Sequence, residues 1–362
     1  MKANNLKIIF FVLGDINIAS SRVRVFQLLP SLRKFGIKYK IIKYNNYFIN
    51  KVLFVKHYHN RSNIIIFKII DRLLHYYKIL YFIIISFFYD ICFIQKIVLP
   101  ILAIKVLTRI NNNLVFDIDD ALYCNDDGNF IKNYRLNYIL KNSKHVFVGN
   151  DELYNYASKY CSSVSKIIGP IDCNRYKPSI KINQDEIVTI GWIGSDSTTK
   201  YLLSILNILD HLTVKHENLR IIAIGAKNEK IFRGIKIEII NWSLKTELYY
   251  LSKFDIGIMP LIDDLWTKGK GGYKILQYMA IGIPVVASSV GINKYLIRNG
   301  YNGFLASNEI EWTEKLEYLI LNKDKRIDMG KRGRIIANNN YSIEKSISEM
   351  LEVFNNLKHD IY

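Results

Sequence analysis

Cysteine is scarce in this chain: four in 362 residues, and scattered. Cys92, Cys124, Cys161 and Cys173 form no C-x-x-C pair, and no histidine stands at metal-ligand spacing from them. The pattern argues against a zinc module or a redox motif and for reduced, buried thiols. The closest histidine pair, His57 and His59 in "VKHYHNRS", has no carboxylate or thiol beside it, so no metal site is expected there. A membrane-spanning run is missing as well. The one membrane-like segment, Ile79–Tyr89, holds 11 uncharged residues between Lys78 and Asp90; a spanning helix needs about 20. A buried or interfacial helix fits it better. The apolar stretch Ile8–Leu13 is too short for the core of a secretory leader. The expected location is the cytoplasm, peripheral on the inner face of the cell membrane.

Acidic residues are few. There are 32 Asp and Glu against 50 Lys and Arg, a net charge of +18. Residues 1–100 alone hold 16 Lys and Arg against 3 Asp and Glu. A basic first third suggests an anionic partner such as a membrane surface, a phosphorylated lipid or nucleic acid. The plain alternative is a solvated basic face. Helix-turn-helix, zinc-finger and RNA-recognition signatures are absent, which speaks against nucleic acid. No short-period repeat is present either.

What is present is a two-part α/β pattern. The opening "LKIIFFVLGD" reads as a buried parallel strand, "SRVRVFQLLPSLRKFG" as a helix stopped by Gly36, and "KYKIIKY" as a second strand. This order begins a doubly wound domain. A long apolar helical region follows over residues 63–88, then the strands "DICFIQK", "NLVFDIDD" and "HVFVGN". The proline-bearing, aperiodic stretch from "IIGPIDCNRYKP" to Asn183 reads as a linker. The pattern then restarts with "EIVTIGWIG", the helix "TTKYLLSILNILDHL", the strands "NLRIIAIGA", "KIEIINW" and "DIGIMPL", and the helix "YKILQYMAIG". The expected domains are 1–168 and 184–340, both Rossmann-like and facing across a cleft. A final segment, 341–362, is a helix that would cross back to the first domain.

Ligands of open α/β sheets bind beyond the carboxyl ends of the strands, so candidate residues are sought there. The stretch "KGKGGYK" follows a strand and opens a helix. Gly269, Gly271 and Gly272 would let a ligand approach the backbone. The helix start at Tyr273 offers free N–H groups and a partial positive charge. Lys268, Lys270 and Lys274 add full charges, and a diphosphate is the expected occupant. "GWIGSDSTTKYL" is a matching loop, with Gly191 and Gly194 for close approach, Ser195, Thr198 and Thr199 as donors, and Lys200 for a phosphate. In the first half, "FDIDDALY" puts Asp117, Asp119 and Asp120 at a strand end, where carboxylates could bind sugar hydroxyls, orient an acceptor or hold a metal. Arg22 and Arg24 are candidates for gripping a phosphate or acceptor.

With these residues in place, the chain resembles the GT-B-fold glycosyltransferases of family 4, of bacterial surface-glycan type. "FDIDDALY", "VGNDELYNYA", "IDCNRYKP", "GWIGSDSTTKYL", "DIGIMPL", "KGGYKILQYMAIGIPVVASSVG" and "NGYNGFLA" fall in the family's order. The resemblance implies a retaining transfer from a nucleotide-diphosphate sugar to a glycan or lipid-linked acceptor in surface-polysaccharide biosynthesis, with no cofactor or metal. It implies that Lys200 and Lys274 hold the donor diphosphate, and that Asp119 and Asp120 line the reacting centre. Gln277 stands where many members place the ribose-binding second Glu of a Glu–seven residues–Glu motif, and Gly269 stands at the first; neither Glu is present. An amide can still bond a hydroxyl, without charge. Two other readings stay open: a GT-B scaffold that has lost catalysis, and a basic nucleic-acid-binding protein.

Overall fold

The computed structural model describes residues 6–45, 61–125, 127–178, 187–227, 232 and 234–359, with side chains for all of these except 61–68 and 359. His57, His59 and linker residues 179–183 lie outside that set. The chain divides into two compact units: Met1–Asn125, Phe130–Ile168 and Ser346–Tyr362 form the first, Asp126–Asn129 and Gly169–Lys345 the second.

The first unit is a parallel sheet of β1 (Lys7–Val12), β2 (Lys38–Lys43), β3 (Ile91–Gln95), β4 (Leu114–Ile118), β5 (His145–Val148) and β6 (Val164–Lys166), in the order β2-β1-β3-β4-β5-β6. Its strands are near-continuous apolar runs because helices cover both faces; β3, β4 and β5 are buried throughout. The helices are α1 (Ala19–Arg24), α2 (Leu29–Lys34), α3 (Arg61–Ser86), α4 (Ile101–Ile110), α5 (Tyr134–Lys141) and α6 (Asp151–Ala157). The sequence suggests one helix through α1 and α2. The structure breaks it at Val25, where φ is −133°, and Pro30 restarts it in the first turn of α2. Proline has no N–H to give, so it suits a helix start and not an interior.

The second unit repeats the plan with β7 (Val188–Ile193), β8 (Leu219–Ile224), β9 (Ile237–Ile240), β10 (Ile256–Met259), β11 (Val285–Ser288) and β12 (Gly303–Ala306), ordered β12-β11-β10-β7-β8-β9 and all parallel. Its helices are α7 (Thr199–Leu203), α8 (Leu206–Lys215), α9 (Glu247–Leu251), α10 (Leu265–Lys268), α11 (Tyr273–Ala280), α12 (Asn293–Leu296), α13 (Glu309–Leu321) and α14 (Lys323–Tyr341). Ile190, Trp192, Ile258 and Val286 pack with Leu209, Leu212, Trp312 and Leu316 in one core. The helix expected after β7 is interrupted between α7 and α8, where the Ser204 hydroxyl takes the Tyr201 carbonyl at 2.8 Å.

The final helix, α15 (Ile343–His359), belongs to the first unit from Ser346 onward. Phe354 sets its ring against Phe93 and Phe147, with centroids 6.3 and 6.1 Å away. The proline-bearing stretch after β6 is anchored where it is described: Arg334 donates to the carbonyls of Cys173 (2.8 Å), Tyr176 and Ala280. All four cysteines are buried and none is in a disulfide.

Candidate active site

In each unit every strand runs the same way, so the carboxyl ends gather on one edge. In the second unit that edge carries the two glycine-bearing loops. The glycines of "GWIG" make room for aromatic neighbours. A Cβ on Gly191 would lie 2.0 Å from the Phe254 ring, and one on Gly194 would lie 2.1 Å from the Trp192 ring. The hydroxyls beyond them largely cap their own turn. Thr198 Oγ1 accepts from the Ser195 N–H at 2.9 Å, and Thr199 Oγ1 donates to the Ser195 carbonyl at 3.2 Å. Lys200 is exposed, 5.3 Å from the Tyr201 ring centroid.

The lysine–glycine loop begins inside a short helix. Asp264 and Thr267 cap α10 reciprocally, with the Thr267 N–H 2.7 Å from Asp264 Oδ1. Lys268 ends that turn and pairs with Asp263 at 3.1 Å. Lys270 lies over the Trp266 ring at 4.3 Å. Gly272 caps α11 with φ +65°, and a Cβ there would stand 2.6 Å from Leu296 Cδ1; this position needs glycine. At a helix start the first N–H groups point out of the helix; here the Ile275 N–H turns back to the Gly272 carbonyl at 3.0 Å. Lys274, in the first turn of α11, stands 4.4 Å from the Trp192 ring centroid. Burial, and then the like charge of Lys270, pull its pKa down to about 7. The Trp192 indole nitrogen is itself buried without a hydrogen-bond partner among the described residues. Positive charge, helix N–H groups and a cation with a lowered pKa therefore converge on one loop, an arrangement that suits an anion.

Gln277 is buried, 3% exposed. Its Nε2 reaches the Tyr176 hydroxyl oxygen at 3.1 Å and Glu247 Oε1 at 3.3 Å. Tyr176, Trp242 and Glu247 were not legible as partners, because the contacts join residues up to 101 positions apart.

In the first unit the edge is acidic and tightly bonded. Arg24 is turned inward: its guanidinium grips Asp117 through Nε (3.0 and 3.1 Å) and a second nitrogen (2.5 Å), and donates to the Ile167 carbonyl. The pair is buried, 3% and 2% exposed. Arg24 and Asp117 are thereby corrected from ligand contacts to a buried structural pair. Arg22 is likewise inward, donating to the Ile16 carbonyl at 3.0 Å and holding the loop after β1. Asp119 and Asp120 remain at the edge and share Lys96, whose ammonium is 3.4 Å from Asp119 Oδ1 and pairs more closely with Asp120. Ser20 donates to Asp119 Oδ2. Lys96 has a φ of +63°, the one positive value at a non-glycine residue among those described. Sequence reading passed over Lys96; its signal was a charge directly following the buried strand "ICFIQ". Among the described residues no group of three His, Cys, Asp or Glu could hold a metal ion.

Residues 185–322 match the family described as Glycosyl transferases group 1. That stretch lies within the second unit, which is thus similar to glycosyltransferase domains of group 1. The chain as a whole has the GT-B fold. It aligns over 97% of its length with 99% of Anabaena Alr3699/HepE, solved with UDP and glucose, at a TM-score of 0.66 and 14% identity. With a glycosyltransferase from Rickettsia africae the TM-score is 0.70 at 15% identity, covering 98% of this chain and 99% of that one. A curated relative, trehalose synthase of Pyrococcus horikoshii, is 30% identical over 86 residues, which is 24% of this chain and 21% of that protein. The group 1 match thus takes in both glycine-bearing loops and α11, and ends before α14.

Proposed function

We propose that this protein is a retaining glycosyltransferase that moves a sugar from a nucleoside-diphosphate sugar to a glycan or lipid-linked acceptor, in building a cell-surface polysaccharide. The observation that carries the reading is Lys274: a cation pulled from water onto an indole face, with Lys270 and the α11 N-terminus beside it and no carboxylate bonded to it among the described residues. In this reading the donor diphosphate lies against Lys268, Lys270, Gly271, Gly272, Tyr273 and Lys274, with Lys200 reaching in from the other loop. As the bond from the anomeric carbon breaks, its electron pair passes to the diphosphate oxygen. Fixed cations and helix N–H groups hold that charge more strongly in the transition state than in the ground state. The acceptor hydroxyl attacks from the same face and gives its proton to the departing oxygen. Lysines supply the neutralising charge, so no metal enters the scheme. UDP bound to Alr3699/HepE supports a uridine nucleotide as the first donor to test.

The first unit takes the acceptor, with Asp119 and Asp120 meeting its hydroxyls. A membrane-linked acceptor is supported by α3 and α4. Leu73, Tyr76, Tyr77, Leu80, Ile84 and Phe87 are all exposed, and Arg72, Lys105 and Arg109 are exposed with them. Apolar and cationic side chains mixed in this way suit an anionic headgroup layer. Among the described residues no helix is long and apolar enough to cross a membrane. The protein would work at the inner face of the cell membrane.

The test is a thermal-shift panel of nucleoside diphosphates and nucleotide sugars against the wild type and Lys274→Ala. A stabilising nucleotide whose effect is weakened in the variant is expected. A nucleotide that stabilises both equally would overturn the assignment of the site, and no stabilisation by any nucleotide would overturn the donor class.

A further inference from the structure

Glu247 opens α9 and is 1% exposed. Three donors converge on its carboxylate: the Tyr176 hydroxyl at 2.5 Å, the Trp242 indole Nε1 at 2.6 Å and the Gln277 amide Nε2 at 3.3 Å. Burial, reinforced by Glu247, pushes the Tyr176 phenol up to about 12, so it keeps its proton at neutral pH. That proton points to Glu247, and the phenol oxygen accepts from Gln277 at 3.1 Å.

The cluster decides which way Gln277 faces. A primary amide has two hydrogens on one side and an acceptor oxygen on the other. A carboxylate and a phenol oxygen both require hydrogens, so the NH₂ turns to them and the carbonyl oxygen turns away. A Glu at position 277 would set two buried carboxylates against each other, a costly arrangement. Gln at 277 therefore follows from Glu at 247.

Gln277 and Lys274 are three residues apart on α11 and share a face. Gln277 lies about 4.5 Å further along the helix axis. A diphosphate at Lys274 has a ribose on one side and the transferred sugar on the other, and the family resemblance implies that the ribose is the group alongside position 277.

We propose that Glu247 is a positioning residue: it fixes the Gln277 amide so that its carbonyl oxygen accepts a hydrogen bond from a ribose hydroxyl of the bound nucleoside diphosphate. This rests on the donor-site reading above. Tyr176 and Trp242 hold Glu247 in place, and the carboxylate acts on the ligand only through the amide.

The experiment is calorimetric titration of the full chain with UDP, 2′-deoxy-UDP and 3′-deoxy-UDP. The proteins are the wild type, Glu247→Gln, Gln277→Glu and the exchange variant carrying both. The wild type should bind UDP at least tenfold tighter than one of the deoxy analogues. Glu247→Gln should bring that ratio close to one, since an amide at 247 no longer dictates the orientation of its neighbour. Gln277→Glu should lower the melting temperature, and the exchange variant should recover both the melting temperature and the ratio. If Glu247→Gln does not fold, the exchange variant decides: recovered discrimination supports the proposal, and its absence overturns it. A wild-type ratio retained by folded Glu247→Gln, or UDP binding without discrimination in the wild type, overturns this proposal and leaves the diphosphate site standing. No binding of UDP or of any other nucleoside diphosphate by the wild type overturns both.

Discussion

The Lys274 ammonium rests 4.4 Å from the centroid of the Trp192 ring, at the start of the helix that follows the lysine–glycine loop. Burial, then Lys270, hold its pKa near 7, against an ordinary value of 10.5. Two consequences follow from the sign of that shift. Below about pH 7 the group is charged in both the folded and the unfolded chain, and the folded state carries the full desolvation cost. Between 7 and 10.5 the unfolded chain binds more protons, so the stability of the nucleotide-free protein rises with pH through this window. Lys274→Met keeps the bulk and removes the charge. It should raise the melting temperature at pH 7, flatten the rise above pH 7 and weaken, without abolishing, stabilisation by a nucleoside diphosphate.

Nucleotide binding should also take up a proton above pH 7. A diphosphate beside Lys274 restores the charged form that burial opposes. Titrations of UDP at pH 8 in buffers of different ionisation enthalpy should give binding enthalpies that vary with the buffer. Lys274→Met should remove that variation. Equal slopes for the two proteins would place the proton uptake elsewhere.

Arg24 and Asp117 form a buried pair in the first unit. Removing one partner strands the other charge away from water, which costs about 3–5 kcal/mol. Arg24→Met should therefore shift the urea midpoint strongly downward in samples that still fold. If Arg24 were a ligand contact, the same change would weaken acceptor binding with little effect on the midpoint.

Gly272→Ala tests the cap of α11. The backbone there is left-handed, and the added methyl meets Leu296. Conformational strain of this kind costs about 1–3 kcal/mol. Because the strained turn also presents the first N–H groups of α11, nucleotide affinity should fall together with the melting temperature. Gly191→Ala, which crowds the Phe254 ring inside the core, should lower the melting temperature as well.

The exposed apolar residues of α3, with Phe87 in the turn just after it, predict sedimentation with vesicles containing anionic lipid at low salt. Leu80→Asp together with Phe87→Asp should release the protein from such vesicles, and high salt should weaken the wild type's binding by screening its basic residues. Wild-type protein that stays in the supernatant at low salt would rule out the membrane-facing part of the reading.

The alternation of strand and helix was legible in the sequence, because buried parallel strands are apolar runs bounded by turns, and "KIIFFV" and "ICFIQ" stand out as such. The lysine–glycine loop was legible for the same local reason: its residues are neighbours in the chain. Helix breaks at Val25 and Ser204 were not, since tertiary packing and a single side-chain bond decide them. The inward turn of Arg24 was also hidden. Its partner lies 93 residues away, and a basic residue next to a strand end looks the same whether it faces water or a buried carboxylate. The packing role of the "GWIG" glycines was hidden in a related way. Their missing Cβ atoms make room for rings supplied by Phe254 and by Trp192 itself, a need that only packing reveals.

Lys96 is constrained from two directions at once. Its left-handed backbone favours glycine or asparagine, while the adjacent Asp119 and Asp120 call for a cation. A drift to glycine would relax the chain and leave the acidic edge uncompensated; a drift back to ordinary backbone would carry the ammonium away from both aspartates. Lineages that lose one of the three residues should therefore lose or replace the others. A lysine after the third strand and an Asp-Asp after the fourth should accordingly occur together or not at all.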